Sequence, residues 1–190
     1  MIENNIFSCD PLPGKNGYTW TIVSLFGDML SAAEELFGER NKEYTILGVE
    51  LAQIDQPQIW FPGSCNHVII QVTEDCINDM DKAIFQVAHE AVHCLCPKQG
   101  KVSILEEGLA TYFSMFYTKK QDISYIELPQ YQYAYKLSCQ LLKYDSEIIK
   151  KARRFVPDIS NIDKKLLLSI CPNIDHALAE EITKVFVKDQ

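Results

Sequence analysis

The fold depends on residues 81–118, which read DKAIFQVAHEAVHCLCPKQGKVSILEEGLATYFSMFYT. Apolar residues recur at helical spacing in the first half, and Pro97 and Gly100 interrupt the pattern before it resumes. With each residue advanced by about 100°, His89, Glu90 and His93 fall opposite an apolar stripe. That stripe consists of Ile84, Val87, Ala88, Ala91 and Leu95. The stretch therefore predicts two consecutive helices, the first with its polar side chains turned away from its packing surface.

The segment His89–His93 is an H-E-x-x-H motif. On a helix, two histidines four positions apart project from one face about a turn apart, so both imidazoles can reach one tetrahedral metal ion. Glu90 then lies beside that ion as a candidate general base. A catalytic zinc needs a third protein ligand, and the extended motif with a third histidine is excluded because position 99 is Gln99.

The second helix supplies the candidate for the third ligand. Ser103 and Glu106 form an S-x-x-E capping box, which predicts a helix that begins after Ser103 and that engages the Glu106 side chain in its first turn. Glu107 remains free to bind a metal. One face of this helix carries Glu107 with the small residues Ala110, Thr111, Ser114 and Thr118, and the apolar face carries Leu105, Leu109, Tyr112 and Phe116.

Together, His89-Glu-Ala-Val-His93 and Glu107-Gly-Leu-Ala-Thr-Tyr112 resemble the gluzincin peptidases, in particular the E-G-x-A-x-Y helix of aminopeptidase N-like enzymes. The resemblance covers residues 81–118 and, more weakly, the helix predicted at 129–144. It implies a zincin-like fold and one zinc ion per chain, bound by His89, His93 and Glu107. It also implies peptide-bond hydrolysis by a metal-activated water, with Glu90 as the general base. The family's upstream G-x-M-E-N segment has no clear counterpart, so aminopeptidase specificity is not implied.

The resemblance also points to a tyrosine. Aminopeptidase N-like enzymes place a tyrosine at the start of a helix downstream of the ligand helix, where its phenol can stabilise the oxyanion of the transition state. Tyr133 matches that pattern best, since Leu137 and Leu141 follow it at helical spacing. Tyr131 and Tyr135 remain open alternatives for this role, and packing of all three tyrosines is the competing interpretation.

The flanking sequence predicts an α+β fold with a small N-terminal mixed sheet, an active-site helix and a mostly helical C-terminal part. We expect an irregular lead-in over residues 1–19, a packing helix from 20 to 36, strands over 44–51 and 68–72, and a short strand near 58–61. Further helices are expected near 129–144, 146–155, 161–170 and 174–188. We interpret residues 1–190 as one domain, made of a sheet-containing part (1–80), the metal-site helices (81–118) and a helical subdomain (119–190).

Charge and composition restrict the class of partner. The net charge is −8 and the pI is about 5.0, and the one basic cluster, residues 150–154, is expected on a solvated helix face. Nucleic-acid and anionic-membrane roles are therefore disfavoured, and a peptide or protein is the expected partner. The N-terminus does not resemble a signal peptide, no stretch is long and apolar enough to span a bilayer, and the seven cysteines follow no disulfide framework. We expect free thiols and a cytoplasmic protein.

Alternatives remain open at this stage. Cys94 or Cys96 could bind a metal, and His67 or His176 could line the cleft, although burial or surface exposure is the commoner role of such residues. The chain could be a protease for one regulatory protein, a non-catalytic zinc-binding module, or a metal-free scaffold that retains the motif. The sequence leaves the substrate, exo- or endopeptidase cleavage and the oligomeric state undetermined.

Overall fold

The computed structural model of the protein describes residues 21–63 and 66–188, so the lead-in predicted for residues 1–19 lies outside it. Helix α1 is the first described element and spans Ile22–Phe37. Thr21 and Ser24 form a reciprocal capping box at its start, and Gly38 ends it with a φ of 97°, a conformation that glycine adopts without strain. Its buried face consists of Ile22, Phe26, Met29, Ala33 and Phe37.

A three-stranded mixed sheet follows α1. Its strands are β1 (Thr45–Ala52), β2 (Gln58–Trp60) and β3 (His67–Thr73), arranged in the order β1-β3-β2. Strand β3 is central, parallel to β1 and antiparallel to β2, and its side chains alternate between buried and half-buried positions up to Val72. The predicted strands are confirmed, and β2 is an edge strand of this sheet.

The remaining described chain is mostly helical. Its helices are α2 (Met80–His93), α3 (Ile104–Tyr117), α4 (Pro129–Tyr144), α5 (Ile148–Ala152), α6 (Lys164–Ile170) and α7 (His176–Ile182). Short 3₁₀ turns cover Glu74–Asn78, Ile123–Tyr125 and Ile159–Asn161. The α+β class with a small mixed sheet is therefore confirmed.

The last helix is shorter than predicted. Instead of continuing to residue 188, α7 ends at Ile182, and the chain becomes extended. Val185 forms an antiparallel bridge with Ser103, at the start of α3. The β-branched residues Val185 and Val187 favour this extended pairing over another helical turn.

Most of the buried hydrophobic residues in the described chain form one cluster that includes side chains of every helix and of β3. Helix α3 lies deepest, since almost every residue from Ile104 to Met115 is buried. On its apolar side Phe113 is buried, whereas Phe116 is exposed and stacks on Tyr112. Thus α3 packs between α2 and α4 rather than on one face only.

The basic cluster at residues 150–154 is not entirely on the surface, which corrects the sequence-based expectation. Arg153 is only 7% exposed, because its guanidinium donates hydrogen bonds to backbone carbonyls of three separate segments. Arg154, its neighbour, is exposed. The described cysteines are free thiols, while Cys9 and Cys65 lie outside the described residues. Within residues 21–63 and 66–188, no helix has the length and apolar composition needed to cross a membrane.

Candidate metal centre

Helix α2 carries the two histidines and Glu90. It starts at Asp79, whose carboxylate accepts a hydrogen bond from the Lys82 N–H, and its last residue is His93. Its apolar residues pack into the core, so His89 and His93 lie on the side facing the start of α3. Their rings are 5.1 Å apart between centroids, as expected for positions i and i+4.

Helix α3 brings a carboxylate to the same point. The chain reverses over residues 94–102, and the Ser103 hydroxyl caps α3 by accepting a hydrogen bond from the Glu106 N–H at 3.2 Å. Glu107 follows in the first turn and is only 3% exposed. The structure thus brings together the three residues that the sequence predicts as metal ligands: His89, His93 and Glu107.

The three ligand atoms have the spacing that a small tetrahedral ion requires. His89 Nε2 is 3.3 Å from His93 Nε2 and 3.1 Å from Glu107 Oε2, and His93 Nε2 is 3.7 Å from Glu107 Oε2. Metal–ligand bonds of about 2.0–2.1 Å at tetrahedral angles place neighbouring ligands roughly 3.3–3.4 Å apart. This buried group can hold a metal ion.

Glu106 has a different role from the one that the capping box predicts. Its backbone N–H does bond to Ser103, but its carboxylate does not reach back to the Ser103 N–H, which instead donates to Ser160 Oγ at 2.7 Å. Glu106 Oε1 lies 2.7 Å from His93 Nδ1, and Oε2 accepts a hydrogen bond from the Ser160 hydroxyl. This carboxylate orients the ring of His93 so that Nε2 faces the other ligands, a common arrangement around metal-bound histidines.

The electrostatics of the cluster favour a cation. Burial would lower the pKa of His93, but the hydrogen bond to Glu106 and the negative charge of the nearby Glu107 outweigh burial and raise the pKa well above its usual value. Burial would raise the pKa of Glu107, but the hydrogen bond with His89 and the charge of the nearby His93 lower the pKa below its usual range. The two carboxylates therefore attract positive charge to this point, which either a proton or a divalent cation can supply.

Glu90 lies beside the three ligand residues but is not one of them. It is 3% exposed and lines the same cavity as His89 and His93. Burial raises the pKa of its carboxyl group, while the charges of His93, His89 and Lys188 act in the opposite direction. Its position suits proton transfer rather than metal binding.

The structure does not bring Tyr133 to the cluster. Tyr133 is 46% exposed, lies beside Glu181 on α7, and is not among the residues that line the cavity. Tyr131 does line the cavity, and its ring centroid is 5.8 Å from that of His89. The two tyrosines point in different directions because two residues are separated by about 200° around a helix.

Tyr131 could have been identified from the pattern of small residues on α4. It shares a helix face with Ala134 and Ser138, and those two small residues pack against Gly108 of α3. Burial raises the pKa of the Tyr131 phenol, and the neighbouring Glu107 and Glu90 raise it further, so the hydroxyl stays protonated as a hydrogen-bond donor.

The cluster opens into a cavity of about 880 Å³ between α2, the edge strand β2, the segment before α4 and the chain after α7. This volume is typical of a ligand-binding cleft. The other candidates lie elsewhere. Cys94, considered as a ligand, is buried, and Cys96 is half-buried. His67 and His176, considered as cleft-lining residues, are half-buried and exposed, and none of the four lines the cavity.

Comparisons of the chain with protein-family models, with curated proteins and with solved structures found no match in any of the three.

Proposed function

We propose that the protein is a zinc-dependent peptidase with a zincin-like fold, in which His89, His93 and Glu107 hold the metal and Glu90 is the general base. One observation carries the proposal: three ligand atoms from two helices converge at tetrahedral spacing, next to a buried carboxylate and an open cavity.

Zinc fits this donor set better than calcium or magnesium. The site offers two imidazole nitrogens and one carboxylate oxygen. Calcium and magnesium prefer ligand sets made of oxygen atoms, whereas two histidines and one glutamate are typical of catalytic zinc. The hydrogen bond between His93 Nδ1 and Glu106 adds the outer carboxylate that often accompanies a zinc-bound histidine.

The side chains around the cluster divide the chemistry among them. When bound, zinc would polarise the scissile carbonyl and make water more acidic. Glu90 would accept a proton from the attacking water and return it to the leaving amine, and its raised pKa suits the second transfer. The Tyr131 phenol would donate a hydrogen bond to the oxygen on which negative charge develops.

Substitution of Glu90 by Gln tests the proposal. The amide preserves size and polarity but cannot accept a proton, so Glu90→Gln should keep one zinc ion per chain and lose about 10²–10⁴-fold in turnover of a fluorogenic peptide library. The control is Glu74→Gln, an exposed carboxylate outside the cavity, which should behave as wild type.

Three results would contradict the proposal. Equal cleavage by the wild-type and Glu90→Gln proteins would remove Glu90 from the base role. A zinc-loaded wild-type protein that cleaves no member of the library would favour the alternative, a non-catalytic zinc-binding or interaction module. Absence of zinc from protein purified without chelators, measured by elemental analysis, would favour a metal-free scaffold.

A further inference from the structure

Residues 184–188, called the arm below, form one wall of the cavity. After α7 the arm runs antiparallel to the start of α3: the Ile104 N–H donates to the Lys184 carbonyl, and the Phe186 N–H donates to the Val102 carbonyl, both at 2.8 Å. The arm is therefore attached to the same short segment that positions Glu106 and Glu107.

The arm reaches the metal cluster through two aromatic contacts. Phe186 is 8% exposed, and its ring centroid is 4.9 Å from that of Tyr131, which in turn packs against His89. Side chains alternate along an extended segment, so Lys188 projects to the same side as Phe186. Both residues line the cavity that contains Glu90.

The lysines of this cavity are not equivalent. Three of them form ion pairs: Lys82 with Asp75, Lys98 with Asp158, and Lys120 with Asp81. Lys101 and Lys188 also line the cavity, and neither has a carboxylate within ion-pair distance in the described part of the chain. Lys101 immediately precedes Val102, whose carbonyl accepts a hydrogen bond from the arm, so the backbone of Lys101 lies beside the segment that carries Lys188.

The opposite end of the cavity is acidic. It lies at the start of α2, roughly 20 Å along the helix from His93, and is lined by Asp79, Asp81 and Glu127, of which Asp81 is paired with Lys120. The carboxylates at the start of α2 would repel an anionic group of a peptide, and the lysines at the arm would attract it. The charges of the cavity therefore favour one orientation of a peptide that carries a carboxylate near one end.

We propose that Lys188 and Lys101 form a carboxylate-binding subsite, and that the protein selects peptides that place a carboxylate at the arm. This inference rests on the proposed peptidase function. The carboxylate can come from an acidic side chain or from a free C-terminus, and the two sources share the same recognition chemistry.

Charge-matched peptides test the subsite. The probes are N-acetylated, C-amidated hexapeptides in which Glu or Gln stands at each position in turn, and the Gln peptides with a free C-terminal carboxylate. Affinity for the zinc-loaded Glu90→Gln protein is measured by calorimetry, and kcat/KM is measured with the wild-type protein. We expect about a tenfold preference for the carboxylate at one position or at the C-terminus, and the preference should weaken as salt is added.

The variants Lys188→Gln and Lys101→Gln, each made in the Glu90→Gln protein, should reduce this preference in binding and leave the affinity for neutral peptides unchanged. Lys165→Gln, an exposed lysine of α6 outside the cavity, should retain the preference. Two separate segments carry the two lysines, so a folding defect in one variant leaves the other as a test. A wild-type protein without a preference, or a preference that survives both substitutions, overturns the subsite. Because binding is measured with the Glu90→Gln protein, selective binding without turnover supports the subsite even where the peptidase proposal fails.

Discussion

The carboxylates of Glu106 and Glu107 have different partners, although the two residues are consecutive in α3. Glu107 Oε2 lies 3.1 Å from His89 Nε2, among the ligand atoms. Glu106 Oε1 lies 2.7 Å from His93 Nδ1, on the far side of that imidazole. A helix turns by about 100° per residue, so successive carboxylates approach the histidines from different directions. Glu107 can bind the metal directly, and Glu106 can act only through His93.

Because Glu107 and Glu106 have different partners, substitution of each should reduce the affinity for zinc by a different amount. Glu107→Ala removes a ligand and should abolish stoichiometric zinc binding, whereas Glu106→Ala should weaken it by about 10–100-fold, the usual effect of losing an outer carboxylate. Competition with a chromogenic chelator measures both affinities. Glu106→Gln should lose less, since the amide oxygen can still accept the His93 N–H. Full zinc occupancy in Glu107→Ala together with loss of zinc in Glu106→Ala would reverse the assignment.

The two tyrosines of α4 give a matched comparison. If the Tyr131 phenol stabilises the oxyanion, Tyr131→Phe should lower kcat by about 10²–10³-fold with little change in KM or zinc content. Tyr133→Phe alters an exposed side chain beside Glu181 and should leave kcat unchanged. Steady-state kinetics with the best library peptide decides between them. Normal turnover by Tyr131→Phe would return this residue to a packing role.

The sequence predicts that His89, His93 and Glu107 come together, because the two histidines are one helical turn apart and Glu107 lies in the first turn of the next helix. Sequence-based prediction fails where a partner is distant in the chain. Nothing near Glu106 in the sequence indicates Ser160, which competes for its carboxylate and takes over the Ser103 N–H. The family pattern favours Tyr133 as the oxyanion donor. Tyr131, however, is on the face of α4 that packs on α3, and the contact of Ala134 and Ser138 with Gly108 determines which face that is. A sequence motif can thus identify the kind of residue that lines the site. Which of two nearby residues of the same kind faces the cluster depends on tertiary packing.

At the scale of elements, hydrophobic periodicity and turn or capping residues are sufficient to predict α1, α3, α4 and the three strands. The observed bounds of these elements lie close to the predicted ones. Helix α7 is the main exception. The β-branched residues Val185 and Val187 weaken the helix only slightly, and the pairing of Val185 with Ser103, 82 positions away in the chain, supplies the backbone partners that end it. Periodicity does not report such pairing, because hydrogen bonds to a distant segment leave no local repeat.

Gly108 shows how one residue sets the distance between two elements. A Cβ at this position would collide with the Ser138 hydroxyl oxygen and with the Ala134 carbonyl, so α3 and α4 can approach this closely only because the residue is glycine. Gly108→Ala should destabilise the fold by about 1–3 kcal/mol, the usual cost of overpacking, and should displace Tyr131 from His89. Denaturant titration and kcat measure the two effects.

The control for this prediction is Gly27→Ala, in the exposed part of α1, where an added Cβ meets no atom within 4 Å. Alanine there should stabilise the protein by about 0.5–1 kcal/mol, because glycine is the poorer helix former. If Gly108→Ala also stabilises the protein, the close approach of α3 and α4 is not a constraint.

At the scale of the whole molecule, Arg153 joins segments that lie far apart in the sequence. Its guanidinium donates to the carbonyls at the end of α1, namely those of Phe37, Gly38 and Glu39. It also donates to the carbonyl of Leu95 after α2 and to that of Pro157. The basic cluster at residues 150–154 predicts a surface position because local composition contains no information about these converging carbonyls. The order of the strands, with β3 between β1 and β2, is non-local in the same way.

This connection leads to a prediction about stability rather than catalysis. Arg153→Ala would remove a buried cation and leave several carbonyls without donors, so we expect a loss of about 3–5 kcal/mol in the free energy of unfolding. Arg154→Ala, at the adjacent exposed position, should change it by no more than about 0.5 kcal/mol. Arg153→Lys should recover only part of the loss, because an ammonium group cannot reach carbonyls on both sides as the planar guanidinium does. Urea titrations of the zinc-loaded proteins measure all three values. Similar stabilities for Arg153→Ala and Arg154→Ala would mean that the ends of α1 and α2 are held by the hydrophobic core alone, and that Arg153 is buried without stabilising the fold.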